Sequence, residues 1–284
     1  MTVGQWARAG ALGGLAARGA LALLEANPPG GATRWRRRNY AGRQVSLLAG
    51  PAFALGAGVG TLCAAVPWRG RVAATAAVLG AAAVGRYDDL GELGGPPAKG
   101  LGGHLAGLRR GRITTGTVKL VALPVVGFGV ARAVSARPVD LVVGAALVAG
   151  HANLANLFDL RPGRCLKFGL LLAPLAPAAV GAVGAAAALL PADLRERVML
   201  GDCGANAVGA ALGSAVLLRH RLPGRLAHLV AVVALTLASE RHSFSEVIAA
   251  NPALRRIDDL GRLPRTDVTV HATFGVHRRT LVHR

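Results

Sequence analysis

Four aspartates stand in short polar or glycine-rich motifs beside apolar runs: Asp88 and Asp89 in YDDLGE, Asp159 in NLANLFD and Asp202 in GDCGANAVG. Adjacent carboxylates can hold a divalent cation or take a proton from a nucleophile. Asp88 and Asp89 follow an Ala/Val-rich run, where a helix leaves its apolar environment. A helix C-terminus already carries partial negative charge. Two acids there call for a positive partner: a lysine, an arginine or a metal ion. Lys99, His104, Arg109, Arg110, Arg112 and Lys119 supply positive charge in the same polar stretch, residues 85–119. Lysine is used only at Lys99, Lys119 and Lys167, in or beside the polar loops. As a compact point charge it suits phosphate, and the glycines of KGLGGH allow backbone to approach a ligand closely. Asn153, Asn156 and Asp159 step by three, which places them on roughly one face at the end of an apolar helix. Polar groups at such depth are costly and usually functional. His151 alone reads more simply as a packed or hydrogen-bonded histidine. Asp202, between Gly201 and Gly204 at a helix start, is either a ligand or an N-cap. No serine or cysteine nucleophile with a partnered base stands out. These acids and lysines together favour an anionic phosphorylated substrate and a metal ion. Phosphoryl transfer needs positioning and charge neutralisation more than covalent chemistry from the protein.

The elements that must position these residues are membrane helices. The chain of 284 residues is 52% hydrophobic and only 4% aromatic, so burial rests on small aliphatic side chains, and its mean hydropathy is +0.44. Small residues suit close helix packing in lipid. The net charge of +19 raises nucleic acid as a partner, but the basic residues cluster between apolar runs, as the positive-inside rule requires, and no nucleic-acid partner is expected. Cys63, Cys165 and Cys203 are far apart without a CxxC pattern, so neither a zinc site nor a disulfide framework is expected. No cleavable signal peptide is read in the first apolar run, which contains Arg8 and Arg18.

The weakest span is Gln5–Leu24, for which an amphipathic surface helix is the competing reading. A basic loop, Asn27–Gln44, follows. Val45–Val66 is uncharged and long enough to cross a membrane, and Val72–Val84 returns to the polar stretch 85–119, read as an interfacial loop. Val118–Val134 and Val139–Leu157 form a hairpin about the turn SARP. Cys165–Leu190, broken at Pro174 and Pro177, is too short for two full spans at about 1.5 Å per residue. If Asp88, Asp159 and Asp202 face one compartment, however, it must enter and return as two short or re-entrant helices. Ala205–Leu218 and Leu226–Ala238 complete the set. The expectation is an all-α, polytopic helix bundle of about nine membrane elements over residues 1–240. A cytoplasmic tail, 241–284, would hold one or two short surface helices and then disorder after Pro264.

The order of motifs resembles the polyprenyl-phosphate N-acetylhexosamine-1-phosphate transferase family, which includes phospho-N-acetylmuramoyl-pentapeptide transferase. The motifs are YDDLGE (87–92), KGLGG (99–103), NLANLFD (153–159) and GDCGANAVG (201–209), and the resemblance spans roughly residues 30–240. It implies a multi-pass plasma-membrane enzyme of cell-envelope glycan synthesis with its site on the cytoplasmic face. That enzyme would move a phosphosugar from a UDP-sugar to a polyprenyl phosphate, use Mg²⁺ and release UMP. Asp202 matches the family's magnesium-binding aspartate. Asp88 and Asp89 match its acidic pair, and Asp159 joins them as a catalytic residue. Lys99, His104, Lys119, Asn153 and Asn156 would bind substrate; a homodimer is an admissible assembly. There are departures. The family continues its third motif as D-G-x-D-G, where this chain has DLRPGR with Arg161 and Arg164, and only His242 remains of a histidine-rich loop. A catalytically degenerate member that binds a polyprenyl lipid or acts as a scaffold is therefore the alternative.

Overall fold

The computed structural model describes residues 2–91, 115–172 and 177–263. Lys99, His104 and Arg109–Arg112 lie outside them, as does the tail beyond Leu263. The described chain is a helical bundle of eleven helices: α1 Val3–Ala26, α2 Ala49–Leu62, α3 Trp68–Gly91, α4 Thr115–Val134, α5 Pro138–Phe158, α6 Arg164–Leu172, α7 Val180–Leu194, α8 Gly201–Arg219, α9 Leu222–Arg241, α10 Phe244–Ala250 and α11 Pro252–Asp259. Five of them, α1, α4, α5, α8 and α9, are long and apolar enough to cross a membrane. Large apolar side chains stay exposed on the outer faces of α4 (Val121, Val125, Phe128), α5 (Val142) and α9 (Val230, Leu237). Such a surface suits lipid rather than water.

Helix α8 is the axis of the bundle. All of it is buried except Asp202, Leu218 and Arg219, and it packs on α2, α3 and α5. Its small residues make this possible, because a helix enclosed on several sides needs thin side chains where backbones cross. The tightest crossing is at the site itself. A Cβ on Gly85 of α3 would collide with the Asp202 carbonyl of α8. Gly85→Ala should therefore cost about 1–3 kcal/mol through overpacking and push Asp88 away from Asp202. A lowered unfolding temperature in detergent-purified protein would register this; an unchanged one would mean the two helices do not touch there.

Two expectations are corrected. Residues 85–119 are not a loop throughout. Helix α3 continues through Asp88 and Asp89 to Gly91, and α4 begins at Thr115, so Lys119 is helical. No proline interrupts residues 85–91 or 115–119, so both helices can run past the apolar segments. The uncharged run Val45–Val66 is likewise not one span. Val45 lies in β2 (Gln44–Ser46), which pairs antiparallel with β1 (Arg36–Arg38). Helix α2 has only 14 residues, about 21 Å at 1.5 Å per residue, short of a hydrocarbon core of about 30 Å. The hairpin takes these residues because Ser46 pairs with Val198 just before α8, anchoring the strand at the head of that helix.

Elsewhere the alternation of apolar and polar runs translates directly. Residues 135–137 turn α4 into α5. Cys165–Leu190 is two short helices, α6 and α7. Gly163, just before α6, lies against Leu194 at the end of α7, so the pair enters and returns to the same end of the bundle. Helix α1 packs against α2 and α7 through Ala9, Gly13, Ala17 and Leu21, a stripe spaced by four residues that belongs to the bundle rather than to an isolated surface helix.

Candidate functional site

The site gathers at the end of the bundle where α3 and α5 finish and α4 and α8 begin. Asp88 and Asp89 sit in the last turn of α3, Lys119 in the second turn of α4, Asp159 caps α5, and Asp202 lies in the first turn of α8. Lys119 Nζ donates to Asp202 Oδ2 at 2.6 Å and to Asp88 Oδ2 at 3.3 Å. All three side chains are largely shielded from solvent, so their mutual attraction is screened less than that of surface ion pairs, against a cost in desolvation. The bridge answers the charge problem of two acids at a helix C-terminus with a lysine from the neighbouring helix.

Asp89 does something different. Its Oδ1 accepts the Asp202 backbone N–H at 2.9 Å and its Oδ2 accepts the Cys203 N–H at 3.2 Å. It therefore caps α8 from another helix, satisfying donors that a helix start otherwise leaves open. Gly201 makes this approach possible. Its φ of +60° is strained for any other residue, and a Cβ there would crowd the Asp89 carboxylate. Asp202 is thus relieved of the capping role, and its own carboxylate faces the lysine.

These groups line a cavity of about 700 Å³ together with Asn153, Asn156, Asp159 and Glu240. One side of the wall is apolar: Leu120, Leu123 and Pro124 of α4, Ala149, Gly150 and Leu157 of α5, and Leu237 of α9. Among the sequence-derived candidates, Asp88, Asp89, Lys119, Asn153, Asn156, Asp159 and Asp202 meet in this one space. His151 does not; it is buried, with Nδ1 2.8 Å from the Leu147 carbonyl and its ring near His228.

Sequence reasoning missed the hairpin. Arg37 and Arg38 line the cavity, and Arg37 donates a hydrogen bond to the Asp89 carbonyl. Arg86, one turn before Asp89, lies 3.7 Å over the Trp35 ring, and Trp35 Nε1 donates to the Pro29 carbonyl at 2.9 Å. The signal was the run RWRRRN itself, in which a tryptophan inside a basic cluster marks a folded platform rather than a plain charged loop. Asp193, Glu196, Tyr40 and Arg161 form a second, smaller cavity of about 250 Å³ that shares Arg38 and Asp159 with the first.

Asp159 stands just beyond α5. Burial pushes its carboxyl well above the usual range, and the charges of Asp193, Asp202 and Asp89 push the same way against a hydrogen bond from the Gly201 backbone. An unfolded aspartate titrates near pH 3.9, so between that value and its raised folded pKa the native state holds the extra proton. The resulting stability is complete below the unfolded value and is lost as pH rises through the folded pKa. Asp159→Asn should therefore flatten the fall in unfolding temperature as pH increases from about 4 upward. A variant that tracks the wild-type profile would mean Asp159 is ionised throughout.

The donor set suits a hard cation. Two carboxylate oxygens already converge on one positive charge. Mg²⁺ takes one or two carboxylates and fills its remaining positions with phosphate and water. Among the described residues there is no cluster of three or more His, Cys, Asp or Glu side chains arranged to hold a metal alone. Such an ion would therefore depend on phosphate oxygens from a ligand. No family model and no curated protein matches this chain.

Proposed function

We propose that this chain transfers a phosphosugar from a UDP-sugar to a polyprenyl phosphate, at the cytoplasmic end of a bundle of about nine membrane elements. The observation that carries the reading is the convergence of Asp88 and Asp202 on Lys119 in a cavity with an apolar wall. A polyprenyl phosphate is an anion on a long hydrocarbon, and a cavity with a charged end and an apolar side can take both parts. The basic hairpin at the same end supports the cytoplasmic orientation through the positive-inside rule.

In this reading Asp88, bonded by one oxygen to Lys119, takes the proton of the lipid phosphate or holds that phosphate in line. An oxygen of the lipid phosphate attacks the phosphorus that carries the sugar, and as that new bond forms the bond to the bridging oxygen breaks and UMP leaves with it. Lys119 and Arg38 line the cavity and would meet the diphosphate; Lys99, outside the described residues, has that role only from the resemblance. Asn153 and Asn156 offer amide donors to the sugar or phosphate, and Asp89 keeps the head of α8 in place. Bound Mg²⁺, held by Asp202 and Asp88, would neutralise the diphosphate charge.

A second reading has its own support. Lys119 already neutralises both carboxylates, Pro162 stands where the family's motif has its second aspartate, and Arg164, just past that motif, is tied to the tail by Asp258. Those features suit a member that binds the lipid without turnover. Purified full-length protein with Mg²⁺, a polyprenyl phosphate and a panel of UDP-sugars decides between them. The transferase reading expects lipid-dependent UMP release with at least one donor. Absence of release across the panel, with lipid binding that survives both Asp88→Asn and Asp202→Asn, would replace it with the second.

A further inference from the structure

The tail helices α10 and α11 dock on both sides of Asp159. On one side, Phe244 of α10 stacks on Phe158 at a centroid distance of 4.9 Å, and Phe158 stacks on Phe168 of α6 at 4.5 Å. Phe158 is the residue before Asp159. On the other side, Asp258 of α11 grips Arg164 bidentately, accepting from Nε at 2.7 Å and from Nη2 at 2.9 Å. Arg164 and Asp258 are both buried. Arg164 also donates to Ser245 Oγ at 2.9 Å. Arg262 donates to the Pro162 carbonyl at 3.2 Å and to Asp258 at 2.8 Å. Lys167 completes the dock by donating to the Ile257 and Asp258 carbonyls, where the C-terminal end of α11 carries partial negative charge.

Burying an arginine–carboxylate fork is costly unless its geometry is satisfied, and here both Asp258 oxygens are bonded to Arg164. The residues it holds, Phe158 to Arg164, form the turn that carries Asp159 into both cavities. We propose that the α10–α11 tail is a positioning element of the site, with Asp258 and Phe244 clamping the Asp159 turn through Arg164 and Phe158. The clamp itself stands apart from the transferase reading; only its kinetic consequence rests on that reading.

Burial alone would raise the Asp258 carboxyl, but hydrogen bonds and charge from Arg164, with Arg262 and Lys167 adding charge, hold it below the ordinary carboxylate range. Asp258 is therefore charged at neutral pH.

Two native thiols report on the clamp without substrate. Cys165, next to Arg164, is 0% exposed, and Cys203, at the head of α8, is 3% exposed. In full-length Cys63→Ser protein in lipid nanodiscs, N-ethylmaleimide labelling of each is followed by mass spectrometry. Asp258→Asn should raise the Cys165 rate about tenfold or more, a local opening, and leave Cys203 within about threefold. The charge swap Arg164→Asp with Asp258→Arg should restore protection in part. Phe244→Ala, which leaves the ion pair intact, carries the same test if Asp258→Asn fails to accumulate. Where the wild type transfers, the loss in Asp258→Asn should lie in kcat, because the clamp positions the catalytic Asp159, with the KM for the UDP-sugar little changed. An unchanged Cys165 rate, or equal rises at Cys165 and Cys203, overturns the clamp; an unchanged kcat in an active protein overturns its positioning role. If the wild type releases no UMP, the transferase reading fails alone and the Cys165 rate still decides the clamp.

Discussion

Asp202→Asn is expected to lower UMP release by about a thousandfold or more, the scale of losing a preorganised charge at a phosphoryl-transfer centre. The substitution keeps the shape of the side chain and removes its charge. It also turns a hydrogen-bond acceptor beside Lys119 into a group whose amide nitrogen cannot accept. The fold should survive, because the head of α8 is capped by Asp89 through the backbone N–H groups of residues 202 and 203. Asp202 contributes only its carboxylate, and that carboxylate faces the cavity. Soluble, well-folded Asp202→Asn protein with activity within tenfold of wild type would show that the charge is not used. Asp89→Ala is the contrasting variant. It should weaken folding by about 1–2 kcal/mol through loss of the cap.

Lys119→Met should be the most destabilising change at the site. Removing one partner of a shielded ion pair leaves the other charge uncompensated, which costs about 3 kcal/mol here, the lower end of the range for buried pairs because the site opens to a cavity. Two carboxylates, Asp88 and Asp202, would be left facing each other. The same variant exposes their cation preference. Millimolar Mg²⁺ should raise its unfolding temperature more than that of wild type, since an ion binding only the native state stabilises it by about 2.7 kcal/mol at a hundred times its Kd. Adding Asp202→Asn should erase this rescue. No Mg²⁺ response in Lys119→Met would mean the pair does not hold a cation.

The chemistry-bearing residues were more legible in the sequence than the elements carrying them. Acids at the ends of apolar runs are expensive, so Asp88, Asp159 and Asp202 stood out, and the need to face one compartment required residues 165–190 to enter and return. The structure has that hairpin as α6 and α7. Three features were not legible. Asp89 serves as a cap for α8, and no local pattern announces a capping partner more than a hundred residues away. Helix α2 is short because Val45 and Ser46 join a strand whose partner lies across a tight turn at Asn39–Arg43, where the Asn39 side chain accepts the Ala41 and Arg43 N–H groups at 3.0 Å. An uncharged run cannot reveal that its first residues are extended. The arginines of residues 34–43 satisfied the positive-inside rule, which hid the further role of Arg37 and Arg38 at the cavity.

All of this requires that α3 and α8 present Asp88 and Asp202 to each other at one end of the bundle. Cysteine-pair cross-linking in native membranes measures that directly. With Cys63, Cys165 and Cys203 replaced by serine, cysteines at positions 88 and 202 should be joined by a short bifunctional thiol reagent, and cysteines at 88 and 219 should not. A joined 88–219 pair, or an 88–202 pair that stays separate although each thiol labels singly, would contradict the account.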